Sequence, residues 1–226
     1  MTRWLFIFCL LLSAAVSAIA GDLGKTLVVL DGKQVASQET ALGNFVADAI
    51  RNASVADIAI VHAMAFRTDT TIAQGIVSDQ TIRGALLAPS SKIVTMELSP
   101  ATLRDVMKRA LKDYPNPNTA FLQFSGMEVV FNSGKKGDSR LEAIRIHGTT
   151  VDLNDNTTTF NVAMPRELAI GAAGYVLLFT DDVTKTMKIS NDLTMLGAIT
   201  QEFTRQKGEV APKIERRLKD SRVPGM

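Results

Sequence analysis

Residues 39–51 read Glu39-Thr-Ala-Leu-Gly-Asn-Phe-Val-Ala-Asp-Ala-Ile-Arg51, and residues 56–67 read Ala56-Asp-Ile-Ala-Ile-Val-His-Ala-Met-Ala-Phe-Arg67. In the first stretch Leu42, Phe45, Val46, Ala49 and Ile50 recur at three- and four-residue steps, which places them on one helical face. In the second, Asp57–Val61 is a short apolar run that reads as a buried strand. A helix feeding a buried strand is the unit from which the fold is read.

Downstream, Ser78–Leu86 reads as a short helix and Lys92–Leu98 as a strand. Ser99-Pro100 then pairs a cap residue with proline at the first helical position, and Leu103, Val106, Met107, Ala110 and Leu111 form the buried stripe. Asp113–Thr119, with two prolines, is a loop. From Phe121 the pattern turns to strands: Phe121–Phe124, Met127–Phe131, Leu141–His147, Thr158–Met164 and Tyr175–Phe179, parted by turn-rich pieces. His147-Gly148 reads as a turn between strands. A last helix is expected from near Asp192, carrying Leu193, Leu196, Ile199 and Phe203. Upstream, Thr26–Leu30 reads as a strand ended by the hairpin-type signal Asp31-Gly32. Interspersed helices and strands with a β-rich second half predict an α+β domain rather than a doubly wound sheet.

The start of the chain has a different character. Arg3 precedes an apolar run from Trp4 to Leu12, and small residues lead to Ala18-Ile19-Ala20. This is the layout of a secretory signal peptide, so residues 1–20 are expected to be removed and residues 21–226 to form a single domain. The run is short for a membrane span, and no stable membrane anchor is expected. The expected location is outside the cytoplasm, periplasmic or extracellular. Cleavage would remove Cys9, the only cysteine, and leave no disulfide or thiol chemistry. It would also lower the formal charge of +2 by one. A nearly neutral chain has no global attraction to nucleic acid, so none is expected as partner. Lys135-Lys136 and Arg216-Arg217 read as solvated surface.

The two opening stretches, in order, resemble the E-x-x-x-G-N-x-x-x-D-A helix and the A-D-x-A-x-x-N-G-G-G-I-R strand and loop of the 5′-nucleotidase C-terminal domain. Lys92–Leu103, Phe121–Gly126 and Phe160–Tyr175 are similar to further family segments, so the resemblance runs from about Thr26 to Leu218. It implies a 5′-nucleotidase C-terminal-domain-like mixed α/β fold that holds a nucleoside. It also implies that the phosphoester chemistry, a two-metal reaction, belongs to an N-terminal domain absent from this sequence. The marks of that domain, D-x-H, G-D-x-x-D and G-N-H-[DE], do not occur, and only His62 and His147 are available as histidine ligands. No catalytic residue, metal ligand or cofactor is therefore expected.

The substrate positions implied by the resemblance are mostly altered. Arg67 matches the arginine closing the N-G-G-G-I-R motif, and His62 stands in place of its asparagine. These two are the candidate substrate-binding residues. For Arg67 a structural pairing with Asp69 stays open beside the binding role. The three glycines become Ala63, Met64 and Ala65, and the P-F-x-N motif becomes Ala88-Pro89-Ser90-Ser91. Pro89 and Glu167 replace the stacking phenylalanines, and Ala172-Ala173 replaces a G-D pair that carries the ribose-binding carboxylate. Stacking a base on an aromatic side chain contributes about 1–3 kcal/mol, so losing both rings removes most of the basis for nucleoside recognition. Phe66 and Phe124 are expected in the core. Arg166-Glu167 reads as a solvated loop, with a new polar pocket as the alternative. The expectation is a noncatalytic module that binds a small-molecule ligand or a partner. The alternative is the substrate-binding half of a split phosphoesterase completed by a separate metallophosphatase chain.

Overall fold

A computed structural model describes residues 21–223. The elements in chain order are β1 (Asp22–Thr26), β2 (Leu30–Asp31), α1 (Ala41–Ser54), β3 (Ile58–His62), β4 (Thr71–Ile72), β5 (Gly75–Ser78) and α2 (Asp79–Ala85). There follow β6 (Lys92–Leu98), α3 (Pro100–Leu111), β7 (Leu122–Ser125), β8 (Met127–Phe131), β9 (Leu141–Ile146), β10 (Thr149–Thr150) and β11 (Phe160–Pro165). The chain then forms α4 (Arg166–Ala169), α5 (Asp181–Thr184), β12 (Lys188–Thr194), α6 (Met195–Arg205), β13 (Glu209–Val210) and β14 (Leu218–Asp220).

The organising layer is a five-stranded mixed sheet in the order β12-β6-β11-β3-β7. Every residue of β3 is buried. That explains its continuous apolar run, because a strand covered on both faces has no solvent side to alternate with. Ala59 and Val61 of β3 face a core built with α1, α2 and α6. Ile58 and Ile60 face the opposite core, built with α3, β8 and β9. The two-residue side-chain period of a strand thus divides the molecule into two cores, one on each face. The second is closed by the four-stranded sheet β10-β9-β8-β14.

The Ser99-Pro100 helix signal acts as read, and the structure adds further caps. Ser99 caps α3 by accepting from the Thr102 amide at 3.2 Å, with Pro100 at its first position. Ser78 caps α2 in a reciprocal arrangement with Thr81. Thr40 Oγ1 accepts from the Gly43 amide at 3.0 Å and so starts α1. Val55, in the left-handed region at φ 51°, ends that helix. His147 and Gly148 both take positive φ in the turn joining β9 to β10, the backbone that two-residue hairpins require.

Five expectations are corrected. Thr26–Leu30 is not one strand: β1 ends at Thr26 and β2 begins at Leu30. Asp31-Gly32 makes no hairpin: β2 pairs with the distant β4, and Asp31 Oδ1 instead accepts from the Lys33 amide in a local turn. Tyr175–Phe179 is not a strand, because Gly171, Ala173 and Gly174 at positive φ coil the preceding chain and no strand among the described residues pairs with it. Leu193 lies in β12, and α6 starts later, at the Thr194 cap. Arg217 is not solvated surface but 8% exposed, because carboxylates and a carbonyl enclose its guanidinium. Phe66 and Phe124 are buried at 2% and 3%, as expected of core residues.

Candidate functional site

Strands β3 and β11 are parallel, with Val162 opposite Ile58 and Ala163 opposite Ala59, so they end at the same edge of the central sheet. Strand β6 is antiparallel to β11, with Ile93 opposite Pro165, so it begins at that edge. The topology therefore gathers His62 from the end of β3, Glu167 just beyond β11 and Ser91 just before β6. The Ser91 hydroxyl donates to the Glu167 carboxylate. His62 is 3% exposed, and its Nδ1 has no hydrogen-bond partner among the described residues. Burial lowers its pKa to about 4, against a partial opposing pull from the Glu167 charge. The imidazole is neutral at physiological pH as a result.

Arg67 takes a different position. Its backbone amide donates to Ala85 O at 3.0 Å, which holds the segment after β3 against the end of α2. Its side chain is exposed. Among the described residues no ion pair joins it to Asp69, and no hydrogen bond joins it to His62 or Glu167. The edge of the site is pinned elsewhere by backbone: Leu196 N donates to Pro89 O at 2.9 Å and Met195 N donates to Ser91 O at 3.0 Å. Pro89 and Ser91 are thereby fixed to the start of α6.

The loop after α4 completes the edge. Ala173 sits at φ 56°, a conformation that costs a residue with a Cβ about 1–2 kcal/mol. Its carbonyl accepts from Arg109 Nη2 at 2.8 Å. Tyr175 is fully buried, donates to Ala120 O at 2.6 Å and has its pKa raised by burial. The loop keeps a demanding backbone and a buried anchor, while Ala172 and Ala173 present only methyl groups. Arg166 is exposed, and Glu167 is half-buried and bonded rather than solvated.

The model of the family described as "5'-nucleotidase, C-terminal domain" matches residues 21–180. The chain belongs to this family. It is 27% identical over 89% of its length to the trifunctional nucleotide phosphoesterase protein of Bacillus subtilis and 24% identical over 87% to the snake venom 5′-nucleotidase of Naja atra. It spans 14% and 40% of those two proteins. Its fold matches that of a 5′-nucleotidase precursor from Thermus thermophilus with a TM-score of 0.78 at 19% identity, over 90% of this chain and 40% of that one. Chemistry performed by those longer proteins is not thereby located in the described residues. Among these, no three His, Cys, Asp or Glu side chains gather as a metal ion requires, so no step through a metal is assigned to them.

The structure gives roles to residues whose part the sequence alone did not show. The family-like residues of α1 and the turn before it hold the C-terminal segment. Glu39 accepts from Asn44 Nδ2 at 2.6 Å and from the amides of Glu215 and Arg217, both at 2.7 Å. Asp48 accepts from Ser125 Oγ at 2.6 Å and from Arg217 Nη2 at 2.8 Å. The E-x-x-x-G-N-x-x-x-D spacing was the available signal, since such steps keep polar groups together along one side of a helix. Its partners in the C-terminal segment, 169 to 179 residues away, were not visible in it.

Proposed function

We propose that this chain is a noncatalytic ligand- or partner-binding module built on the 5′-nucleotidase C-terminal fold. The observation that carries this reading is the Glu167 carboxylate. It is bonded to Ser91 and lies beside a buried neutral His62, where the family resemblance expects a stacking ring. A carboxylate offers no flat apolar face to a base and repels a phosphate. Of the two candidate binding residues, His62 is enclosed and Arg67 points to solvent. A thermal-shift titration with adenosine, AMP and UDP-glucose tests the reading: no saturable shift is expected, and a clear one at micromolar ligand overturns it.

A second reading rests on the relatives, which are named as a nucleotide phosphoesterase and a 5′-nucleotidase. The chain spans only 14% and 40% of two curated relatives. On this reading it is the substrate-binding half of a split phosphoesterase, and a separate metallophosphatase chain completes it. Co-expression with such a chain should then give a stable complex with metal-dependent phosphatase activity. Absence of both returns the balance to the noncatalytic module.

Export is part of the proposal. The signal-like residues 1–20 lie outside the described residues, and no helix among the described residues is long and apolar enough to cross a membrane. N-terminal sequencing of the secreted protein should begin at Gly21. A product that keeps residues 1–20 and stays in the cytoplasm would refute export. Neither nucleic acid nor a cofactor enters this reading.

A further inference from the structure

A polar cleft lies at the other end of the central sheet from His62. Ser125 pairs with Ala59 and Leu122 pairs with His62, so the Ser125-Gly126 turn lies toward the far end of β3, roughly 10 Å along the strand. The cleft has a volume of about 520 Å³, within the range of small-molecule sites. Its walls come from the second half of α1, the Ser125-Gly126 turn, the β9–β10 hairpin, the end of α6 and the segment before β14.

Four carboxylates and four arginines line it, which makes its formal charge near zero. The hydrogen-bonding capacity is not balanced in the same way. Glu202, 2% exposed, already accepts from Asn52, from Gln206 and twice from Arg205. Asp48 accepts from Ser125 and Arg217, and Glu215 accepts twice from Arg217. Glu128 accepts from Lys219. Every carboxylate in the wall is therefore engaged.

The arginines are not all used. Arg51 spends its Nε on Asp57 O at 2.9 Å, and among the described residues neither of its terminal nitrogens has a partner. The added Cβ of any residue replacing Gly126 would approach that Nε to 2.9 Å, so the turn is shaped around the arginine. Arg145 is held only loosely, at 3.8 Å from Glu128 and 3.4 Å from Thr150 Oγ1. The unspent capacity in the cleft is thus donor capacity, carried by planar guanidinium groups. A guanidinium fork matches the paired oxygens of a carboxylate or phosphate.

We infer that this cleft binds a small hydrophilic oxyanion, a carboxylate or phosphate ester, through Arg51 and Arg145. The site is separate from the His62 edge and stands whichever reading of that edge holds. Because the wall is near neutral overall, directed hydrogen bonds rather than a general positive field select the ligand.

The test is a two-dimensional NMR titration of the purified protein with inorganic phosphate and with succinate, using sodium chloride at matched ionic strength as control. Saturable low-millimolar shifts at the Gly126 and Gly148 amides and the Arg51 Nε are expected with one oxyanion or both, and the stronger titrant identifies the ligand class. Arg145→Gln and Arg51→Gln should each weaken binding about tenfold, the scale of one charge-assisted contact. Arg145 is 44% exposed at its side chain, so Arg145→Gln probes binding without disturbing the core. Lys185→Gln, an exposed change outside the cleft, should leave the affinity unchanged. Shifts that merely follow chloride, or binding that survives Arg145→Gln in a folded protein, overturn the assignment.

Discussion

Arg217 donates to Asp48 at 2.8 Å, joining the segment before β14 to the buried side of α1 across 169 residues of chain. The same guanidinium donates to Phe124 O at 2.7 Å and to Glu215 at 2.8 Å. Arg217→Ala takes a charged donor from two carboxylates and a buried carbonyl, and a cost of about 2–3 kcal/mol is expected. Arg217→Lys should recover only part of it, because one ammonium cannot reach three acceptors arranged around a planar fork. Urea unfolding of both variants checks this. Equal stability for wild type and Arg217→Ala would show the cluster to be energetically neutral.

Glu39 acts on the same segment through backbone. It accepts from the amides of Glu215 and Arg217, and at 3.4 Å from that of Leu218. Glu39→Ala should open this segment locally before the molecule unfolds as a whole. The expected sign is faster amide exchange at Arg217 and Leu218, by about tenfold for each 1.4 kcal/mol lost. Exchange in α3 should be unchanged.

Gly43 is required by a close approach. A Cβ there would lie 2.1 Å from Gln123 Oε1. Gln123 is 1% exposed, accepts from the Thr40 amide and donates to Val35 O and Gln38 O, so it cannot swing aside. Gly43→Ala should destabilise by about 2–4 kcal/mol through overpacking and broken hydrogen bonds. In a double-mutant cycle with Gln123→Ala, the combined cost should fall well below the two single costs added. Additive costs would place the strain elsewhere.

His62 gives a pH dependence with a definite sign. Its pKa falls from 6.5 to about 4 on folding, because burial disfavours the imidazolium. Between these values the unfolded chain binds the proton and the folded chain does not, so acid pulls toward unfolding. The stability conferred by the neutral ring is complete above pH 6.5 and is lost as pH falls toward about 4. Over that window wild type should lose up to about 3 kcal/mol more than His62→Gln. Parallel pH–stability curves for the two proteins would contradict it.

Much of the fold was legible because its causes are local. Capping residues, the three- and four-residue apolar steps of α1 and α3, and the continuous apolar run of β3 each act within one element. The misread pieces fail where their surroundings override a local signal. Asp31-Gly32 carries a hairpin signal, yet β2 pairs with the distant β4, and Tyr175–Phe179 carries a strand signal, yet the positive-φ residues before it coil the chain and no strand among the described residues pairs with it. Leu193 fits a helical stripe equally well as it fits the end of β12, and the β6 edge settles the matter.

By itself the sequence pointed to the family and the mixed α/β class, and through that resemblance implied that Pro89, Glu167 and Ala173 stand where rings and a carboxylate are expected, since these depend on which residue stands at which step. The tertiary structure decided what the remaining polar residues do. It enclosed His62, left Arg67 facing solvent, and joined Ser91 to Glu167 at the edge where β3, β6 and β11 meet. It also buried Arg217, which the sequence presents as one half of a basic pair. Burial and pairing arise from contacts between distant segments, and no spacing within a single segment encodes them.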